Sequence, residues 1–288
     1  MSPAARTPAA LAPSSGRRRR APARTPPRRP APAVPRHYLS LKGAETVPLP
    51  WFADLARGLE QTADQRAIMC LSGNAGVGKT FALDTVLAAK PRPARRARLG
   101  RLVPRPAPTP LSLRSDLADA LNLEAPPKDP RAFDAALREV LAARDHLLVV
   151  DEAQRLDGVC FEYLRYLFDD PRARLAIVLV VGERGRAVLR RQKMLVSRTG
   201  VSLQIPLLTS ADVAEVIPRF HPLWHEADRD ALERLDAHWC HGNFRRWAQA
   251  THHALRLLRH TSARHGPAPH PLLEDVLDAT WQPREDLQ

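Results

Sequence analysis

Residues 68–90 read IMCLSGNAGVGKTFALDTVLAAK, and a strand, a loop and a helix follow from that order. Ile68, Met69, Cys70 and Leu71 form an apolar run of strand character, GNAGVGKT is glycine-rich, and FALDTVLAAK has a helical pattern. Gly73, Gly76 and Gly78 permit backbone angles that turn successive N–H groups inward, and a helix starting near Lys79 offers its positive end to an anion. Lys79 supplies a point charge for β- and γ-phosphates, and the Thr80 hydroxyl suits Mg²⁺. The eight residues Gly73, Asn74, Ala75, Gly76, Val77, Gly78, Lys79 and Thr80 fit GxxxxGK[ST] in full, in the strand-to-helix setting that the motif requires. A glycine-rich turn with a surface lysine is the competing reading. It leaves the upstream strand, Lys79 and Thr80 without a common explanation.

Working outward, Leu147–Val150 is a second continuous apolar run of strand length, ending in Asp151 and Glu152. Such runs are the mark of parallel strands buried on both faces. Leu175–Val181 is another, and Val201–Leu207 is expected to be a further strand. A weak strand is placed around Leu99–Val103, where the arginines and prolines point to an edge position or a partly irregular strand. Helices are expected from about Trp51 to Thr62, over Leu111–Leu121, from Pro130 to about Ala143 behind an Asp129 cap, and over Phe161–Phe168. After Thr209 only helical patterns remain, with interruptions expected at Pro218, Pro222 and 267–271. The fold class is therefore α/β: a phosphate-loop NTPase with a parallel sheet flanked by helices, followed by a smaller helical lid domain. The expected division is a basic arm over 1–36, a nucleotide-binding core over 37–208 and a lid over 209–288.

In a doubly wound sheet, ligands bind at the carboxyl ends of the strands, so Asp151 and Glu152 face the phosphate loop. Asp151 is the expected Mg²⁺ partner with Thr80, and Glu152 is available to polarise the attacking water. An ordinary acidic strand end is the bland alternative.

Composition narrows the classes. The chain of 288 residues is long enough for a sizeable core, and its net charge of +13 is unevenly spread. Residues 1–44 and 90–110 hold seventeen of the 44 Lys and Arg and none of the 31 acids, so the remainder is mildly acidic. Contact with a polyanion is to be sought in those two stretches. Residues 1–36 carry nine prolines and few residues able to form a core, which reads as a disordered arm without the apolar region of a secretory signal. No apolar run approaches the roughly 20 residues of a membrane span. Cys70, Cys160 and Cys240 are odd in number and far apart, as reduced, buried thiols of a cytoplasmic protein would be.

GNAGVGKT, LLVVDEAQRL and the strand running into VGERGRAVLRRQKMLVSR together resemble the AAA+ ATPases, and within them the transposition helpers of the TniB, TnsC and MuB type. The resemblance covers about residues 40–260. It implies strand order 5-1-4-3-2, ATP bound between core and lid, hydrolysis to ADP and phosphate, and assembly of a homo-oligomeric ring or filament on double-stranded DNA with a transposase as partner. Carried over by position, Arg198 stands where the family has its arginine finger, reaching a neighbouring subunit's ATP, and Arg245 in GNFRRWAQ stands where a lid arginine touches the phosphates. The departure is at the end of the fourth strand, where Gly182 and Glu183 replace the usual polar residue. A carboxylate there would repel phosphates and slow turnover unless Arg184 or Mg²⁺ neutralises it.

His221, His225, His238, Cys240 and His241 have HxxxH and HxCH spacings that admit zinc, although Pro222 interrupts the first pair and histidines recur in the chain's helices, as at His252, His253 and His260; Trp224, Trp239 and Trp247 read as lid core rather than a base-stacking platform. The basic run Arg184, Arg186, Arg190, Arg191 and Lys193 suits a subunit interface, a DNA channel or plain solvent exposure. A second function class stays open beside the DNA-bound assembly factor: a regulatory switch whose ATP or ADP state acts on a protein partner without DNA.

Overall fold

The structure, a computed structural model, describes residues 38–89 and 97–265, with side chains up to residue 259. The basic arm, most of the arginine-rich segment before Leu99, and the prolines at 267–271 lie outside the described residues.

In chain order the core runs α1 (Pro50–Gln65), β1 (Ile68–Gly73), α2 (Lys79–Ala88), β2 (Arg98–Leu102), α3 (Pro110–Leu121), α4 (Pro130–Ala143), β3 (His146–Val150), α5 (Gly158–Phe168), β4 (Leu175–Val181), α6 (Glu183–Arg191), α7 (Lys193–Val196) and β5 (Thr199–Ile205). The five strands form one parallel sheet in the order β2-β3-β4-β1-β5. This is the order the resemblance implied. β2 is indeed an edge strand, paired only with β3.

The alternation of side chains along each strand explains why the central runs are apolar throughout. Ile68, Leu148, Val150, Ile177, Leu179 and Val181 face α3, α4 and α5, which bring Leu113, Leu117, Leu137, Phe161 and Leu164. Met69, Leu71, Leu147, Val149, Val178 and Val180 face α1 and α2, which bring Leu55, Leu59, Leu83 and Val86. Each such side chain contributes about 1.5–3 kcal/mol on burial. Helix starts are written locally. Asp129 accepts from Ala132 N at 2.8 Å, Asp157 accepts from Cys160 N at 2.8 Å, and Thr109 and Thr209 head capping boxes with Ser112 and Asp212.

The remaining helices are α8 (Ser210–Phe220), α9 (Arg229–Leu235) and α10 (Phe244–His265), with short turns at Pro222–Trp224 and Asp236–Cys240. Their core gathers Val213, Ile217, Phe220, Leu232, Leu235 and Trp247. Trp224 and Trp247 pack edge to face at 5.7 Å, and their indole N–H groups donate to Thr251 Oγ1 and Asp236 Oδ1, each at 2.9 Å. One expectation fails here. Pro218 lies inside α8 and does not interrupt it, because the helix ends two residues later and only one backbone bond is forgone. The apolar side chains of Leu41, Val47 and Leu49 pack in the same cluster as these helices. Glu45 N donates to Phe220 O at 2.8 Å, and His221 Nε2 lies 3.1 Å from Lys42 O, so this segment straps the lid.

Candidate functional site

The phosphate loop leaves β1 at its carboxyl end and turns into α2 through Gly78, which caps the helix with φ 92°. That left-handed geometry costs a residue with a Cβ about 1–2 kcal/mol, which accounts for glycine at this position. Lys79 Nζ donates to the loop's own carbonyls, Gly73 O at 3.0 Å and Asn74 O at 2.9 Å. Burial holds the Lys79 ammonium below the usual lysine range. Glu152 and Asp151 act against that shift, and the charge of Arg245 adds to it. A partly desolvated cation bonded only to neutral carbonyls gains most from an incoming anion.

Across the loop, Thr80 Oγ1 donates to Asp151 Oδ2 at 2.9 Å. Asp151 follows β3 directly, and its other oxygen accepts from Glu152 N at 2.9 Å. Hydroxyl and carboxylate oxygens side by side are the donor set of a hard divalent cation, so the residues fit Mg²⁺. Glu152 has a left-handed backbone, φ 54°, and its carboxylate accepts from Gln154 Nε2 at 2.5 Å. Gln154 Oε1 in turn accepts from Gly182 N at 3.2 Å. Thus the polar side chain at the end of β4 is Gln154. Glu183 is exposed as the first residue of α6, where the helix's positive end favours an acid, and it is not part of the cleft wall.

The cleft between loop and lid encloses about 380 Å³. Its lining combines the loop residues Gly76, Gly78, Lys79 and Thr80 with Glu152 and Arg245, and also includes the apolar Val47, Leu49, Trp51, Phe52, Phe220 and Phe244 and the acids Glu45 and Asp84. Loop N–H groups and aromatic side chains in one cleft suit a phosphorylated ligand with a flat ring. Arg245 reaches this cleft from the start of α10, with its guanidinium 5.4 Å from the centre of the Tyr38 ring.

Arg198 is not in the cleft. It precedes β5, and its carbonyl accepts from Ile68 N at 3.2 Å at the opposite end of β1. Five strand steps of about 3.3 Å place it about 16 Å from its own phosphate loop. There it is held by Asp169.

Zinc finds no support. Among the described residues no group of three or more His, Cys, Asp or Glu is arranged for a metal ion. His221 is buried, with both ring nitrogens engaged by Lys42 O and Leu223 N. Among the described residues of the second basic stretch, Arg101 pairs with Asp84 and Arg105 with Asp116. Arg184, Arg190, Arg191 and Lys193 are exposed, while Arg186 donates to Gln204.

Comparison with known proteins bears on the same region. Residues 61–189 match the family model of an AAA domain. The parallel sheet with its flanking helices has the phosphate-loop AAA fold. Several solved structures share this fold. The ORC2 protein of Aeropyrum pernix, in ADPNP–ADP complexes, superposes with a TM-score of 0.58 at 16% identity over 80% of this chain and 68% of that one. RuvB of Thermotoga maritima, a Holliday junction branch migration motor, gives 0.54 at 16% identity over 81% and 70%. Cdc6p of Pyrobaculum aerophilum gives 0.58 at 17% identity over 77% and 64%. No curated protein matches this chain in sequence. No helix among its described residues is long and apolar enough to cross a membrane.

Proposed function

We propose that this protein is an AAA ATPase that binds Mg–ATP in the cleft, hydrolyses it slowly to ADP and phosphate, and uses the ATP state to assemble with copies of itself on duplex DNA. The observation that carries the reading is the meeting of Lys79, Thr80, Asp151 and Glu152 at the carboxyl ends of β1 and β3, beside a cleft that aromatic side chains also line. The division into a core over 37–208 and a lid over 209–288 belongs to the same proposal.

Loop N–H groups and Lys79 would hold the β- and γ-phosphates, Trp51, Phe52 and Phe244 would cover the base, and Arg245 would meet the phosphates from the lid. In hydrolysis, water attacks the γ-phosphorus, the bond to the β-γ bridging oxygen breaks, ADP leaves, and Glu152 accepts the proton of the water. Glu152 must first give up or share its bond from Gln154, which is consistent with slow turnover. Mg²⁺ bound by Thr80 and Asp151 would neutralise charge on the phosphate oxygens.

Arg198 lies too far away to act on its own site, so it is assigned to the ATP of a neighbouring copy. Contact with DNA is assigned to the exposed cations of α6 and to the basic arm. RuvB, by name a Holliday junction branch migration motor, shares the fold. The resemblance of LLVVDEAQRL and its neighbours to the TniB, TnsC and MuB helpers makes a transposase the partner of choice. The pairing of Arg101 and Arg105 with acids favours a second reading, a switch acting on a protein partner, because these cations are not free for phosphates.

Duplex DNA binding measured with ATP, with ADP and without nucleotide, over a salt series, separates the two. The DNA reading expects ATP-dependent binding that weakens steeply with salt and flattens on deletion of residues 1–36. Binding that is absent, or indifferent to ATP, favours the protein-partner switch.

A further inference from the structure

Resting on the reading of the cleft as a nucleoside triphosphate site, we propose that Asn243 is a positioning residue that joins the lid helix to the phosphate loop and so sets Arg245 over the phosphates. Asn243 sits immediately before α10. Its Oδ1 accepts from Arg245 N at 3.0 Å and Arg246 N at 3.4 Å, so it caps the helix. The other half of the same amide faces the loop, with Nδ2 donating to Ala75 O at 2.7 Å. Arg245 N also lies 3.0 Å from Gly76 O. Two successive carbonyls of the phosphate loop are therefore bonded to the first residues of the lid helix.

The space around these bonds is filled. A Cβ on Gly76, where φ is 86°, would stand 2.3 Å from Asn243 Oδ1 and 2.9 Å from Arg245 Cβ. The lid thus occupies the room that a side chain at position 76 would need. On the other side of the turn, Leu208 N donates to Gly242 O at 3.0 Å, and a Cβ on Gly242 would stand 2.2 Å from Leu208 O. The Gly242–Asn243 turn is wedged between the strand-to-lid connection and the loop. Any rotation of the peptides at Ala75 and Gly76 on phosphate binding moves the bonds that hold the start of α10, and Arg245 is two residues along.

The two halves of the amide can be separated by substitution. Asn243→Ser keeps a good helix cap but has no donor long enough for Ala75 O, and Asn243→Asp keeps the cap while turning an acceptor toward that carbonyl. Both should melt within a few degrees of the wild-type chain. The experiment is amide hydrogen exchange on the full chain, free and with Mg–ATP, alongside ATP and ADP affinities with and without Arg245→Ala. In the wild type, Mg–ATP slows exchange at 74–78 and at 244–248 together, and Arg245→Ala weakens ATP relative to ADP by about tenfold. In Asn243→Ser, ATP slows exchange in the loop alone, and the Arg245→Ala effect falls to about twofold or less. Joint protection that survives in Asn243→Ser, or an undiminished Arg245→Ala effect, overturns the proposal. If Mg–ATP changes exchange nowhere in the wild type, it is the nucleotide reading that fails. The link is then judged in the free protein, where Asn243→Ser must speed exchange at both 74–78 and 244–248 by about tenfold without affecting β3. Unchanged exchange there overturns it.

Discussion

Arg198 grips Asp169 with two parallel bonds, Nε to Oδ1 at 2.6 Å and Nη2 to Oδ2 at 2.8 Å, at the end of the sheet away from its own phosphate loop. Met194 O accepts from Nη1 of the same guanidinium at 2.8 Å. The arginine is thereby held at a defined place on the surface, about a third exposed. If it completes a neighbour's site, Arg198→Ala and Lys79→Ala proteins are each inactive alone and regain ATPase activity when mixed. No recovery in mixed oligomers counts against action between subunits.

The same pair has an acid signature. Hydrogen bonds from Arg198 hold the Asp169 carboxyl below the usual carboxylate range, with Arg165 adding to this and burial opposing it. A depressed folded-state value means that the contribution is present above the ordinary carboxylate value and is lost as pH falls through the folded value. Asp169→Asn should melt below wild type at pH 7, and the gap should close below about pH 4. A gap independent of pH contradicts the ion pair.

Glu152 is bonded to Gln154 and lines the cleft, yet nothing in its position makes it a phosphate ligand. Glu152→Gln should retain Mg–ATP affinity within a few-fold while turnover falls by about 10²–10⁴. Steady-state hydrolysis beside equilibrium binding checks this, and unchanged turnover moves the base elsewhere.

Asp236 Oδ1 is buried in the lid and accepts from both Gly242 N, at 2.8 Å, and Trp247 Nε1. Trp247→Phe keeps most of the packing but removes one donor from a buried carboxylate. A loss of about 1–3 kcal/mol in urea unfolding is expected. Because the same carboxylate secures the turn at Gly242, ATP affinity should weaken as well.

What could be read from residue order was whatever is local. The strands at Ile68, Leu147 and Leu175 announce themselves because both of their faces are buried, and Asp129 marks its helix through a bond to Ala132 only three residues away. GNAGVGKT carries its own geometry in its glycines. The strap at Leu41–Leu49 was not legible, since its partners Phe220 and His221 lie well over a hundred residues away and no periodicity records such a contact. Gln154 went unread for the same reason: its function depends on Gly182, at the end of a different strand. Asn243 was hidden in a motif quoted for Arg245, and only its approach to Ala75 gives it a role.

The central claim is that Lys79, now bonded to the carbonyls of Gly73 and Asn74, exchanges them for phosphates. Calorimetric titration of Mg–ATP into the wild-type chain and into Lys79→Ala tests it most directly. Micromolar binding by the wild type, weakened at least about a hundredfold in Lys79→Ala, is the expected result. Micromolar binding retained by Lys79→Ala would contradict the assignment of the loop.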